Sequence, residues 1–178
     1  SKKIFGAVLY GCSLSAAAFG LSVHDRKGLE MVFLDVGQGD SIFWRADGKN
    51  FLCDAGSSGV EQVGKYRIIP FLKCQGISKL DYLFLSHMDG DHVNGAEEIL
   101  EGDTGISVGC LVMPEIVKQD GRYCSVIAAA EKRGIPVVRF HEGMEIDTGK
   151  SRLECLAPRE GARGEDKNAD SLVLAVQY

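Results

Sequence analysis

Seven consecutive residues, Ser86-His87-Met88-Asp89-Gly90-Asp91-His92, carry the densest chemistry in the chain. His87, Asp89, Asp91 and His92 place two imidazoles and two carboxylates within six positions, directly after the apolar run Tyr82-Leu83-Phe84-Leu85. A strand that ends in such a loop aims its side chains at one point beyond the sheet edge. Imidazole and carboxylate both ligate divalent first-row metals. Four such groups in one loop exceed what a closed structural site usually takes from it, so the spacing points to two ions sharing the loop. The competing reading is a polar turn whose Asp91 caps the next helix, although such turns rarely need two histidines as well.

The surrounding pattern supplies elements to hold that loop. Asp81 to Leu85 reads as a central strand buried on both faces. Asn94 to Glu101 fits a helix, with Val93, Ala96 and Leu100 on one side. Asp91 and His92 then fall in its first turn, where the dipole keeps a carboxylate ionised and favours the neutral imidazole that a metal needs. Upstream, Met31–Val36, Ser41–Ala46 and Asn50–Cys53 read as strands, the last two joined by an Asp47-Gly48 hairpin turn. Gly37-Gln38-Gly39-Asp40 interrupts the first pair and is expected to line the cleft, with Asp40 facing it; taken alone it is a tight turn or bulge. Asp54 follows the third strand, either as support for a ligating histidine or as an ordinary turn aspartate. Tyr66–Gly76 reads as a short helix with Pro70 in its first turn. Val108–Met113 and Val137–Phe140 read as strands around a helix at Arg122–Arg133. Met144–Ile146 and Ser151–Leu156 form a hairpin, and Ser171–Gln177 a last strand. The charged stretch from Glu160 to Asp170 reads as a solvated loop, with Arg159, Arg163 and Lys167 available to phosphates.

Composition narrows the class. The 178 residues suffice for one core of ordinary size, and 45% hydrophobic with 25% charged residues is a globular balance. A net charge of −5 leaves no global basic surface, which argues against a dedicated nucleic-acid-binding module but not against a metal-dependent nuclease. Six scattered cysteines without a Cys-x-x-Cys pair read as mostly buried small apolar residues. His24 and His141 lie outside the cluster and read as surface histidines. Ile4 to Val23 is an uncharged run long enough to span a bilayer. A transmembrane helix, a signal peptide behind Lys2-Lys3 and a buried soluble helix all compete for it. The chain begins with Ser1, which reads as a fragment or a processed product.

His87-x-Asp89-x-Asp91-His92 resembles the metal motif of the metallo-β-lactamase superfamily, with Asp89 where many members have histidine. Met31-Val32-Phe33-Leu34-Asp35-Val36-Gly37-Gln38-Gly39-Asp40-Ser41, Phe51-Leu52-Cys53-Asp54-Ala55-Gly56, Pro70-Phe71-Leu72-Lys73-Cys74-Gln75-Gly76-Ile77 and Asn168-x-x-Ser171-Leu172-Val173-Leu174 surround it. In order and spacing these blocks resemble the hydrolase domain of ComEC-type competence proteins, which form the membrane channel for DNA uptake. The resemblance implies an α/β fold, a metallo-β-lactamase-like αββα sandwich incomplete at the C-terminus. Residues 29–178 would be the N-terminal portion of that domain, and residues 1–28 a transmembrane helix and linker. It implies two divalent ions, zinc or manganese, one on His87 and Asp89 and the other on Asp91 and His92. The hard ligand Asp89 tilts the choice toward manganese. Asp91 and Asp40 are implied to take part in the chemistry, and Asp54, Asn168 and Ser171 to support the ligands. The family's bridging aspartate and a later histidine would come after Tyr178, so weak or single metal binding is expected.

Three functions follow as expectations. The first is a metal-dependent nuclease acting on DNA at a cell membrane, its hydrolase domain on the outer face and a channel domain upstream in the same parent. The second is hydrolysis of a small ester, thioester or lactam by the same fold. The third is a membrane-anchored domain without catalysis.

Overall fold

A computed structural model describes residues 28–178. The apolar run 4–23, His24 and Cys12 lie outside the described residues. Three strands open the fold as an antiparallel meander: β1 (Glu30–Phe33), β2 (Ile42–Ala46) and β3 (Lys49–Cys53). The β2–β3 turn is Asp47-Gly48, with φ of 51° and 73°. Both values are left-handed, the geometry that matches the twist of a two-residue hairpin.

The sheet then continues in parallel. A π-helical turn (Gly64–Ile68) runs into α1 (Ile69–Cys74), with Pro70 near its start, and leads to β5 (Tyr82–Phe84) beside β3. Helix α2 (Gly90–Glu101) connects β5 to β7 (Leu111–Pro114), and α3 (Gly121–Lys132) connects β7 to β8 (Val137–Phe140). The resulting order is β1-β2-β3-β5-β7-β8. Short β4 (Lys79–Leu80) and β6 (Ser107–Val108) pair in parallel with each other. Strands β9 (Glu145–Asp147), β10 (Arg152–Ala157) and β11 (Val173–Gln177) form a separate antiparallel sheet.

Side-chain alternation divides the core into two layers. Phe43, Leu52, Leu83 and Leu111 pack on the helical side with Leu72, Val93, Ile99 and Val126. Their sequence neighbours Trp44, Phe51, Phe84 and Val112 pack on the other side, against Leu153, Cys155 and Leu172 near or in the second sheet. This is the period-2 geometry of a strand buried on both faces. Trp44 stacks on Phe51 at 5.0 Å and on Phe84 at 5.6 Å, so an aromatic layer fills the space between the sheets. The layers are helix, sheet and sheet, consistent with the metallo-β-lactamase sandwich. On the second sheet, Leu156 and Val173 remain exposed.

The expected elements recur with shifted ends. The helix expected over Tyr66–Gly76 begins earlier, at Gly64, as a π turn whose Gly64 and Lys65 amides donate to the Glu98 carboxylate. The helix expected from Asn94 begins at Gly90, so Asp91 and His92 do fall in its first turn. Cys155 is buried, whereas Cys74 and Cys124 are exposed, against the expectation of mostly buried cysteines. Among the described residues no helix is long and apolar enough to cross a membrane.

Candidate metal centre

Strand β5 delivers the loop. The Leu85 amide donates to Val112 O at 3.0 Å, which holds the strand's end in the sheet, and the Leu172 amide donates to Ser86 O at 2.8 Å from the far side. The segment after β3 grips the start of α2. The Ala55 amide donates to His92 O at 2.8 Å, and the Ala96 amide to Ala55 O at 3.1 Å. Gly56 makes that approach possible: a Cβ there would lie 2.2 Å from Asp91 C and His92 N. The residue preceding α2 is Asp89, and its side chain makes no capping bond. The loop's carboxylates are therefore not spent on holding the helix end.

Asp54 organises the site. It sits at φ 55°, a left-handed conformation uncommon for a residue with a side chain, and its carboxylate is buried. Oδ1 accepts the Ser86 amide at 2.7 Å; Oδ2 accepts the Ser86 hydroxyl at 2.7 Å and lies 3.0 Å from His92 Nδ1. A carboxylate accepts only, so Nδ1 of His92 carries the proton. The single Ser86 hydroxyl proton goes to Asp54, and Ser86 Oγ is 2.9 Å from His87 Nδ1. Oγ must then accept from that nitrogen as well. In the neutral rings, one aspartate thereby assigns the tautomer of both histidines and leaves each Nε2 with a free lone pair, the arrangement metal-binding imidazoles require.

Those two nitrogens meet carboxylates. His87 Nε2 is 3.6 Å from Asp89 Oδ2, and His92 Nε2 is 3.7 Å from Asp40 Oδ2. The rings themselves lie 4.0 Å apart, centroid to centroid. Burial, then the neighbouring His92, lowers the pKa of His87; the hydrogen bond with Asp54 raises that of His92. The pair is thus split, with His87 the readier to be neutral and to coordinate.

The donor types suit a divalent cation, and the two pairs suit two ions. The donors do not close a shell: among the described residues no group of three or more His, Cys, Asp or Glu could hold a metal. Asp91, expected with His92 on one ion, lies near enough to both histidines to favour their charged forms, and it also lines an open polar groove with Gln38, Ser58 and Asn94. Asp40, expected to face the cleft, is the carboxylate nearest His92 Nε2. Its amide donates to Asp91 O at 3.2 Å and its carbonyl accepts from the Gly56 amide at 3.1 Å, so the Gly37–Gly39 turn does line the site.

The hydrogen bonds of Asn168 and Ser171 stay within their own segment. The Asn168 amide donates to Asp166 Oδ1, and the Ser171 hydroxyl donates to Lys167 O at 2.7 Å. The segment's contact with the candidate ligands comes from the residue between them and Asp166. Lys167 Nζ is 2.9 Å from Asp89 Oδ1 and 3.0 Å from Asp120 Oδ2. That hydrogen bond is the main reason the Asp89 carboxyl titrates below the usual carboxylate range. The stretch read as solvated is largely exposed, and Lys167 ties it to the histidine loop. Sequence reasoning missed Ser86, whose hydroxyl is the link between Asp54 and His87, although its place next to the first histidine was a usable signal. It also missed Asp120, which meets Lys167 only through tertiary structure. His141 stays apart, with Nδ1 3.0 Å from Glu142 O.

Comparison with known proteins bears on the family and the fold. The chain is 30% identical over 159 residues to ComE operon protein 3 of Bacillus subtilis, covering 82% of this chain and 20% of that protein. It is 38% identical over 65 residues to competence protein ComA of Neisseria gonorrhoeae, 36% of this chain and 9% of that one. The chain therefore spans about a fifth or less of the length of these relatives. Among solved structures, a chemotaxis sensor described as a peroxy diiron species aligns with a TM-score of 0.55 at 15% identity, over 85% of this chain and 57% of its own. A diphosphatase of the PhnP family aligns at 0.51 and 15% identity, over 84% and 62%. Both are likenesses of fold. The model of the β-lactamase superfamily domain matches residues 49–177, a span that takes in Asp54, His87, His92 and the strands and helix that hold them; the chain belongs to that family.

Proposed function

We propose that this chain is part of a metal-dependent hydrolase that cleaves DNA at a membrane during competence-linked uptake. The observation that carries the reading is the Asp54 relay, which presents two bare imidazole nitrogens to one cleft beside Asp40 and Asp89. Such preorientation has no use in a purely structural turn. His87 with Asp89, and His92 with Asp40, would hold divalent cations, zinc or manganese, and Asp91 stands at the adjoining groove. When bound, such ions polarise phosphodiester oxygens and activate water. The chain's own part is to keep the protons on the two Nδ1 atoms, hold the Asp89 carboxylate ionised through Lys167, and position the substrate. The competence proteins it is similar to support a competence-related, membrane-associated role; DNA as the substrate and the outer face as the hydrolase domain's location are our reading of that role. The diphosphatase and diiron relatives in fold support phosphoester chemistry and a dinuclear centre.

The pairwise donor geometry keeps a second reading in view, a domain without catalysis that binds metal weakly. Hydrolysis of a small ester, thioester or lactam by the same centre is the third. The test is manganese-dependent cleavage of DNA by the longest natural reading frame that contains this chain, wild type against Asp91→Ala. Cleavage lost in the variant supports the proposal. Cleavage of a chromogenic ester or lactam but not of DNA would favour the small-molecule reading, and inactivity on all would favour the non-catalytic one.

A further inference from the structure

A second cavity opens beside the histidines. It measures about 250 Å³ and lies between the chain after β7 and the segment before β11, with His87 in its wall. Met88 and Pro114 are buried, and with Ile116 they give it a largely apolar interior. Its two sides are tied together: the Val117 and Lys118 amides donate to Ala162 O and Arg163 O, each at 2.9 Å. Gly164 lets the two segments close up, since a Cβ there would lie 2.8 Å from Lys118 O. The walls are thus built, not a gap between loose loops. Apolar cavities of ~150 Å³ accept a benzene ring, so this one has room for a heterocyclic base.

The polar groups around it define the occupant further. Asp120, Glu165 and Asp170 outnumber Lys118 and Lys167 in the lining, and the Lys167 ammonium is already shared by Asp89 and Asp120. An excess of carboxylates repels phosphate and attracts N–H donors. Asp170 accepts the Gly164 amide at 2.8 Å and Asp120 the Tyr123 amide at 2.8 Å, while Glu165 is exposed at the rim. Adenine, cytosine and guanine carry an exocyclic amine that a carboxylate can accept from; thymine has a carbonyl oxygen where cytosine has that amine, and keeps only its ring N3–H as a donor.

We propose that this cavity holds the base of the nucleotide next to the scissile phosphate and prefers bases with an exocyclic amine. This rests on the nuclease reading for its substrate class. The base enters between Met88 and Ile116, its amine meets the acidic rim, and its phosphate is left on the His87 side, where the two histidine–carboxylate pairs lie.

The test is an NMR titration of the full chain, with and without zinc, using deoxycytidine and thymidine 5′-monophosphates. The expected result is deoxycytidine monophosphate binding about fivefold tighter, the discrimination of one hydrogen bond. Ile116→Trp, which fills the cavity, abolishes binding; Val60→Trp, in the polar groove on the Asp91 side, leaves it. Glu165→Gln, at an exposed position that does not threaten folding, levels the two nucleotides. Equal affinity for both in the wild type, absence of binding, or binding unchanged by Ile116→Trp would overturn the inference. DNA cleavage by the parent separates the two claims. Cleavage that persists while the titration fails removes the base site alone; a titration that succeeds without any cleavage keeps the base site and removes the nuclease.

Discussion

Asp54 Oδ2 lies 3.0 Å from His92 Nδ1, across 38 residues of sequence, and the same carboxylate binds both the amide and the hydroxyl of Ser86. One buried acid therefore sets the proton positions on two histidines. Asp54→Ala leaves those donors without an acceptor. We expect cation affinity to fall 10–100-fold, the usual effect of losing such an orienting partner, and stability to fall by about 1–3 kcal/mol. Isothermal titration with zinc or manganese and urea unfolding check the two. Unchanged affinity in a folded variant would remove Asp54 from its assigned role.

Gly56 is where the segment after β3 meets the first turn of α2. Gly56→Ala must push Asp91 and His92 outward, because both near contacts are backbone. Overpacking of this kind costs about 1–3 kcal/mol. The expected signature is a joint loss of stability and of cation affinity. Gly48→Ala, whose added methyl meets nothing within 4 Å, should strain its turn and lower stability alone.

Lys167 bridges Asp89 and Asp120 with all three side chains two-fifths exposed. Such a pair adds little to stability, and Lys167→Met should change it by less than ~1 kcal/mol. The ammonium nevertheless competes with any cation for Asp89. We expect the variant to bind manganese several-fold more tightly in an equilibrium titration. Weaker binding would mean that Lys167 positions Asp89 for the ion.

The hairpin turns of the two sheets are joined at Asp47. Burial works to raise its pKa, but the Ser151 hydroxyl, the Lys150 and Ser151 amides and the Thr148 hydroxyl together hold it below the ordinary aspartate range. A depressed folded pKa means that this stability is present above the unfolded value and is lost as pH falls through the folded one. Urea midpoints of wild type and Asp47→Asn should thus differ most at neutral pH and converge below pH ~3.8. A gap that does not narrow as the pH falls below ~3.8 would contradict the assignment.

The strands were legible because each keeps strict alternation: Phe43 faces the helices and Trp44 the second sheet, and the pattern repeats at Leu52 and Phe51. The histidine loop was legible because its four donors are contiguous in sequence. Asp54 was legible only as one of two readings, since a turn aspartate and a ligand-orienting one look alike until Ser86 and His92 are seen to converge on it. The Lys167–Asp89 contact was not legible. It joins positions 78 residues apart through a loop whose composition resembles any solvated surface. The π turn at Gly64–Ile68 was hidden for a related reason: Glu98, which receives its amides, belongs to another helix. Phe84 shows how much the legible part carries. It stacks on Trp44 and Tyr82 directly before the metal loop, and Phe84→Ala should cost about 3–5 kcal/mol by urea unfolding.

The most direct measurement is the cation affinity of His87→Ala, His92→Ala and the double variant, read by calorimetric titration with zinc and manganese on protein whose fold is checked by circular dichroism. The two imidazole nitrogens converge on one cleft, so each single variant should lose at least tenfold in affinity and the double variant should show no saturable binding. Affinity equal to wild type in both single variants would contradict a metal centre at this loop.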